Sequence, residues 1–269
     1  MDKEYRFYHV VSHDGEFSII KELGIKQVLI SYFYLRKNKK LYKQILENKD
    51  INVVIDSGLF SYSMGTKGAD TSEERCREYA EEYIKFIENN HQVENIISFF
   101  ELDFDLIGYD YHTFVRPYQQ RLLEITDKIV LIMQKGRTIE DLKDMCTRYV
   151  HTISIPFAGE KERQWFDYML ICDIAHKYNK RVHMLGCSAT EYLRFAEQSD
   201  SSSWIMQSIY GSQTMVVGNK LKSLHWSECD SINKDDYMER KKESAKAYKE
   251  LNTIVNKLKE ETLHQTRLF

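Results

Sequence analysis

Asn52-Val53-Val54-Ile55-Asp56, then the charged stretch 71–90, then Ile96-Ile97-Ser98-Phe99-Phe100-Glu101-Leu102-Asp103: this part of the sequence carries the architecture. The two short runs are rich in β-branched and aromatic residues and read as buried strands, and the long charged stretch between them reads as a helix. A helix that returns the chain to the start of a new strand makes the two strands parallel, because a tight hairpin would make them antiparallel. The alternation continues in both directions. Strands are expected at 27–34, 52–56, 96–103, 129–134, 152–156, 181–185 and 203–208, with an eighth around 215–221. Helices are expected at 71–90, 111–126, 139–149, 160–179 and 190–197. Residues 236–263 read as a long closing helix, polar over most of its surface, with Tyr248, Leu251, Ile254, Val255 and Leu258 at helical spacing.

Seven or eight such units in 269 residues favour a closed (β/α)8 TIM-type barrel over an open doubly wound sheet. Neither the glycine-rich dinucleotide fingerprint nor a P-loop occurs, so the two commonest phosphate-binding α/β readings fail at their defining element. The expectation is an α/β chain whose residues 1–269 form a single barrel domain, with a C-terminal helical segment at about 231–263.

Composition bounds the function. With 42% hydrophobic and 29% charged residues and a formal net charge of -3, the chain is globular rather than disordered or collagen-like. The charge balance neither demands nor excludes a nucleic-acid partner. Residues 1–17 read without a signal peptide, and no apolar run reaches the ~18 residues of a membrane span. Cys76, Cys146, Cys172, Cys187 and Cys229 are scattered without a CxxC pair, which points to a reducing, cytoplasmic setting and away from a zinc finger. No membrane partner is expected.

In a barrel of this kind the active site forms at the C-terminal strand ends. Those ends read Asp56-Ser57-Gly58-Leu59-Phe60, Glu101-Leu102-Asp103-Phe104-Asp105, Gln134-Lys135-Gly136, residues 156–160, Leu185-Gly186-Cys187 and Asp200-Ser201-Ser202. Each has an ordinary explanation: Asp56 as a cap or turn residue, Gln134 satisfying backbone, Asp200 capping a turn. Glu101, Asp103 and Asp105 alternate, so on a strand they share one face and must be solvated, protonated or neutralised by a cation. The recurrence of polar residues at successive strand ends is the functional signal, since one pocket collects them all.

The ordered series Asp56-Ser57-Gly58-x-Phe60, Leu102-Asp103, Met133-Gln134-Lys135-Gly136, 156–160, Leu185-Gly186 and Asp200-Ser201 resembles the tRNA-guanine transglycosylase superfamily over roughly residues 50–210. It is similar in particular to the DpdA-like branch, which inserts 7-deazaguanine bases into DNA in phages and genomic islands. The resemblance implies that Asp200 is the nucleophile on C1′ and Asp56 the proton-transfer carboxylate. It implies that Phe60 stacks on the base beside Ser57 and Gly58, and that Asp103 and Gln134 hydrogen-bond the purine edge. It further implies that the turn at 154–159, with Gly159, touches the 7-position side, and that Leu185 and Gly186 form the opposite wall. A carboxylate can trap the cation formed when an N-glycosidic bond breaks, a second can shuttle the base proton, and the target nucleotide has to be flipped out.

The partners so implied are DNA, with tRNA as the alternative, and a 7-deazaguanine base such as preQ0, with no cofactor and no metal. A homodimer or an accessory protein is compatible with the same pattern. Lys37, Lys39, Lys40, Lys67, Lys135 and Arg137 are candidates for phosphate contacts. The sequence also departs from the family: only Cys229 lies beyond Cys187, so the zinc site of the tRNA enzymes is missing, and Leu59 and Ser61 replace a glycine and a glutamine. Two further readings stand beside this one. Glu101, Asp103 and Asp105 hold a divalent cation for a hydrolase or lyase, with His9 or His183 as added ligands. Alternatively, the barrel is a non-catalytic nucleic-acid-binding subunit.

Overall fold

In Arg6–Val11, Phe7, His9 and Val11 alternate with Tyr8 and Val10, which gives a strand with two different faces. This segment is β1, a strand that the sequence pattern leaves unassigned. The computed structural model describes residues 4–63, 69–157, 167–229 and 231–266. From β1 the chain runs through α1 (Asp14–Glu22), β2 (Gln27–Ser31), α2 (Tyr32–Leu35), α3 (Lys39–Glu47), β3 (Asn52–Asp56), α4 (Leu59–Ser63) and α5 (Glu73–Asn90). It continues through β4 (Ile96–Phe100), α6 (Arg116–Ile125), β5 (Ile129–Ile132), α7 (Ile139–Thr147), β6 (Thr152–Pro156), α8 (Tyr168–Lys177), β7 (Arg181–Leu185), α9 (Thr190–Leu193) and β8 (Gln198–Ser201). After β8 come α10 (Ser203–Ile209), the hairpin β9 (Ser212–Val217) and β10 (Lys220–His225), and α11 (Tyr237–Thr266).

Strands β1 to β8 pair in order and close on themselves, so the fold is a (β/α)8 TIM barrel followed by a long C-terminal helix. Every pairing in the barrel is parallel, and closure is made by Tyr8 against Asp200 and His9 against Ser201. Two sequence assignments are corrected here. Residues 203–208 are the helix α10, and 215–221 falls in the antiparallel hairpin outside the barrel. Both segments are apolar enough to pass for strands, but the true closing strand, Gln198-Ser199-Asp200-Ser201, has no hydrophobic residue to announce it. The strands expected at 27–34 and 96–103 also end early, at Ser31 and Phe100, where the chain turns into short helical segments.

The pleat sends alternate residues to two cores. Val28, Ile30, Val53, Ile55, Ile153 and Val182 face outward into the shell beneath the helices. Tyr8, Leu29, Val54, Phe100, Val130 and Ile132 fill the lumen. α11 docks on this shell although its surface is largely polar. Asn252 and Asn256 accept from the backbone N–H groups of Phe7 and Tyr5 at 2.6 and 2.7 Å. Lys241 pairs with Glu16 at 3.0 Å, with both side chains buried. Among the described residues no helix is long and apolar enough to cross a membrane.

Candidate functional site

The strand alternation that sends Leu29, Val54 and Ile132 into the lumen also settles what stands above them. On β2, Ser31 follows Leu29 by two residues, and on β3 Asp56 follows Val54 by two, so both point into the mouth of the barrel. β6 and β7 supply Ser154 and His183 as register partners. β8 supplies Asp200, whose Oδ1 lies 2.9 Å from His183 Nε2 and accepts from the Gly186 N–H at 3.1 Å. His183 and Asp200 are buried, and the imidazole ring packs edge-on against Phe100 at 5.1 Å.

Asp56 sits at the end of β3, where the chain turns sharply. Its Oδ2 accepts from the Gly58 N–H at 3.0 Å. Gly58 has φ +80°, and a Cβ there would lie 2.6 Å from Ser31 Oγ, so the turn needs glycine. Burial, helped by the nearby negative charge of Asp200 and opposed by the Gly58 and Ser57 amides, raises the Asp56 carboxyl from 3.8 to about 7. Asp103 accepts from Gln134 Nε2 at 3.0 Å. Burial first, then Asp105 and Asp56, pushes its carboxyl well above the usual range. Asp56, Asp103, Gln134, His183 and Asp200 are thus brought together at one end of the lumen. Phe60 stands exposed on the rim, in α4, and Leu185 is half-buried at the end of β7. Ser57, just past the end of β3, is buried with its hydroxyl unpartnered and its carbonyl accepting from the Tyr79 hydroxyl. Gly159 and Lys67 lie outside the described residues.

Several expectations need correction. Glu101, Asp103 and Asp105 do not share a face, because β4 ends at Phe100 and residues Phe104–Ile107 form a 3-10 turn. That turn carries Asp103 toward the mouth and leaves Glu101 and Asp105 facing Arg137. Arg137 donates to both Asp105 oxygens at 2.7 and 2.9 Å and to Glu101 at 2.7 Å. Its guanidinium also lies over the Tyr111 ring at 4.2 Å. A fixed cation therefore occupies the acidic cluster. Among the described residues no group of three or more His, Cys, Asp or Glu side chains could hold a metal ion.

His9, expected as a possible ligand, is packed behind the barrel wall against Phe7, Trp204 and Tyr248, with Nε2 on the Ala245 carbonyl at 3.1 Å. Burial lowers it to about 4. Arg137, with its side chain fully buried, is no phosphate contact. Of the other candidates for that role, Lys37, Lys39, Lys40 and Lys135 are exposed, and Lys40 is paired with Asp14 at 2.6 Å. Ser31, Ser154 and the His183–Asp200 pairing are features of the mouth that the sequence pattern does not signal. An expected strand running on to residue 34 hides Ser31, and the His183–Asp200 pairing depends on β8, a strand with no apolar residue to signal it, lying beside β7.

A separate open cavity of about 300 Å³ is lined by Thr190, Glu191, Arg194, Asn219, Lys220, Leu258 and Glu261, between α9, the hairpin turn and α11. None of the acid–base groups reaches it.

No protein-family model matches the chain, and no curated protein matches it. Solved structures do match over nearly the whole length. Two are variants of the tryptophan synthase alpha-subunit from the hyperthermophile Pyrococcus furiosus, with TM-scores of 0.48, 12% and 11% identity, and coverage of 95% and 91% of this chain and 98% and 99% of theirs. A third is a protein from Aquifex aeolicus VF5, with TM-score 0.47, 13% identity, and coverage of 96% of this chain and 93% of that one. The base-exchange reading is corrected, since no family model and no curated relative places the chain among the transglycosylases. The chain is not assigned as a DNA transglycosylase, and its chemistry has to be argued from the site itself.

Proposed function

We propose that this chain is an acid–base enzyme of the lyase or hydrolase kind, working at the C-terminal mouth of the barrel without a metal in the Glu101–Asp105 cluster. One observation carries the reading. A carboxyl held near pH 7, Asp56, faces a second acid–base pair, His183–Asp200, across a small polar mouth above an apolar lumen. A group whose pKa lies near the working pH can both give and take a proton efficiently, and a second acid–base pair in different surroundings can take the complementary role.

In the lyase form, the His183–Asp200 pair removes a proton from the substrate. The freed electron pair forms the new double bond as the leaving group departs, and the Asp56 carboxyl hands its proton to that group. In the hydrolase form, the same pair takes the proton from a water whose oxygen bonds to the substrate's electrophilic atom, the bond to the leaving group breaks, and the Asp56 carboxyl protonates the group that departs. Arg137 takes the place that a divalent cation would need, so the carboxylates of the cluster serve to anchor the turn that carries Asp103.

The test is turnover of a small-metabolite library followed by mass spectrometry, with purified protein at pH 6–8. Conversion of a compound that depends on both Asp56 and Asp200, and that survives a chelator, is the expected outcome. D56N should lower kcat by about 10²–10⁴-fold. A library compound converted equally well by D56N and D200N, or only with added divalent cation, removes the proposal.

A further inference from the structure

We infer that the hydroxyls of Ser31 and Ser154 are substrate-contacting groups of this mouth, one on each wall. The molecule bound between them is uncharged and carries hydrogen-bonding groups on two opposite edges. This inference rests on the reading of the mouth as the active site.

The first observation is an unmet need. Ser31 is 6% exposed and Ser154 0%, and neither Oγ has a hydrogen-bond partner among the described residues. A buried hydroxyl without a partner is destabilising, and of the lumen residues Leu29, Val54, Phe100, Val130 and Ile132 are apolar while the Tyr8 hydroxyl is itself unpartnered and so bonds neither serine. The second observation is placement. β2 and β6 stand four strands apart in the closed order of eight, so the two hydroxyls lie on opposing walls. Each also neighbours an acid–base group: Ser31 pairs in register with Asp56, and Ser154 with His183. A molecule that reaches both hydroxyls therefore lies between the two proton-transfer centres.

The charge of that molecule follows from what surrounds it. Asp56, Asp103 and Asp200 line the mouth, so an anion would need a cation to meet it. The buried cations among the described residues are already engaged: Arg137 by Glu101 and Asp105, Arg240 by the Ser208 and Asn233 carbonyls, and Lys241 by Glu16. The two serine hydroxyls can donate to and accept from neutral groups such as carbonyl, amide or alcohol.

The experiment is a crystallographic fragment soak at pH 7 of the wild-type protein and of the S31A/S154A double variant. Three shape-matched sets are used, built on benzamide, benzoate and benzamidine, together with small alcohols. Thermal unfolding of the single variants runs in parallel. The expected result is neutral fragments in the mouth of the wild type, within about 3.2 Å of Ser31 or Ser154 Oγ, that are absent from the double variant. S31A and S154A unfold at or above the wild-type temperature, as removal of an unpaired hydroxyl predicts. Fragments retained in the double variant, a mouth that takes only charged fragments or none, or a loss of several degrees in either single variant overturns the inference. Turnover that depends on Asp56 yet is unchanged in S31A/S154A would sink this inference and leave the acid–base reading standing.

Discussion

Replacing Asp56 with asparagine should change stability in a manner that depends on pH in a calculable way. The folded protein holds this carboxyl at about 7 against an ordinary 3.8, so folding favours its protonated form. A group raised in this way contributes fully below its unfolded value and loses that contribution as pH climbs through its folded value. Between pH 4 and 7 the wild type therefore gives up stability steadily. Above pH 7.5 the loss levels off at about 4 kcal/mol, the equivalent of a rise from 3.8 to about 7 at about 1.36 kcal/mol for each tenfold change. The amide introduced by D56N keeps a side-chain oxygen to accept from the Gly58 N–H but carries no charge to desolvate. D56N is expected to match the wild type to within about 1 kcal/mol near pH 4.5 and to exceed it by up to about 4 kcal/mol at pH 8. Urea unfolding at several pH values between those limits measures the difference directly. A gap that stays constant with pH, or a wild type that gains on D56N as pH rises, would refute the burial argument and with it the acid–base role.

Two other substitutions probe the supports of the site. R137M leaves Glu101 and Asp105 buried without their cation, and should cost about 3–5 kcal/mol in urea unfolding at pH 7. Adding E101Q to R137M should restore part of the loss, whereas a cost under about 1 kcal/mol for R137M alone would show the pair to be weakly coupled to the fold. G58A forces a side chain onto a backbone at φ +80° and against Ser31 and Phe33, and should destabilise by about 2–4 kcal/mol. G108A, at φ +98° with nothing within 4 Å, should show only the backbone part, and equal losses in the two variants would exclude the crowding at Gly58.

Much of the barrel is legible from local pattern, and the failures share one cause. The strands at 52–56, 152–156 and 181–185 have the same bounds in the sequence pattern and in the structure, because apolar β-branched runs between charged helices carry their own signal. β1 and β8 carry little. β1 interrupts its apolar run with His9, and β8 is Gln-Ser-Asp-Ser, a strand only because Arg6 to His9 and His183 to Met184 lie on either side of it. The same division runs through the site. Asp56, Asp103, Gln134 and Asp200 are recognisable as polar residues at the ends of successive units. Arg137 reads as a surface contact, since its proximity to Glu101 depends on where β4 stops and the 3-10 turn begins.

Local pattern is enough to make the strands parallel and to gather polar side chains at their C-terminal ends, because period, length and turn chemistry are properties of neighbours along the chain. Barrel closure selects which strands meet at the seam and places Ser31 and Ser154 on facing walls. The pairing of β7 with β8 brings His183 to Asp200, and the early end of β4 beside β5 sets Arg137 against the acidic cluster. Each of these is a relation between residues distant in sequence. Its energy depends on distance and burial, which exist only once the sheet has closed.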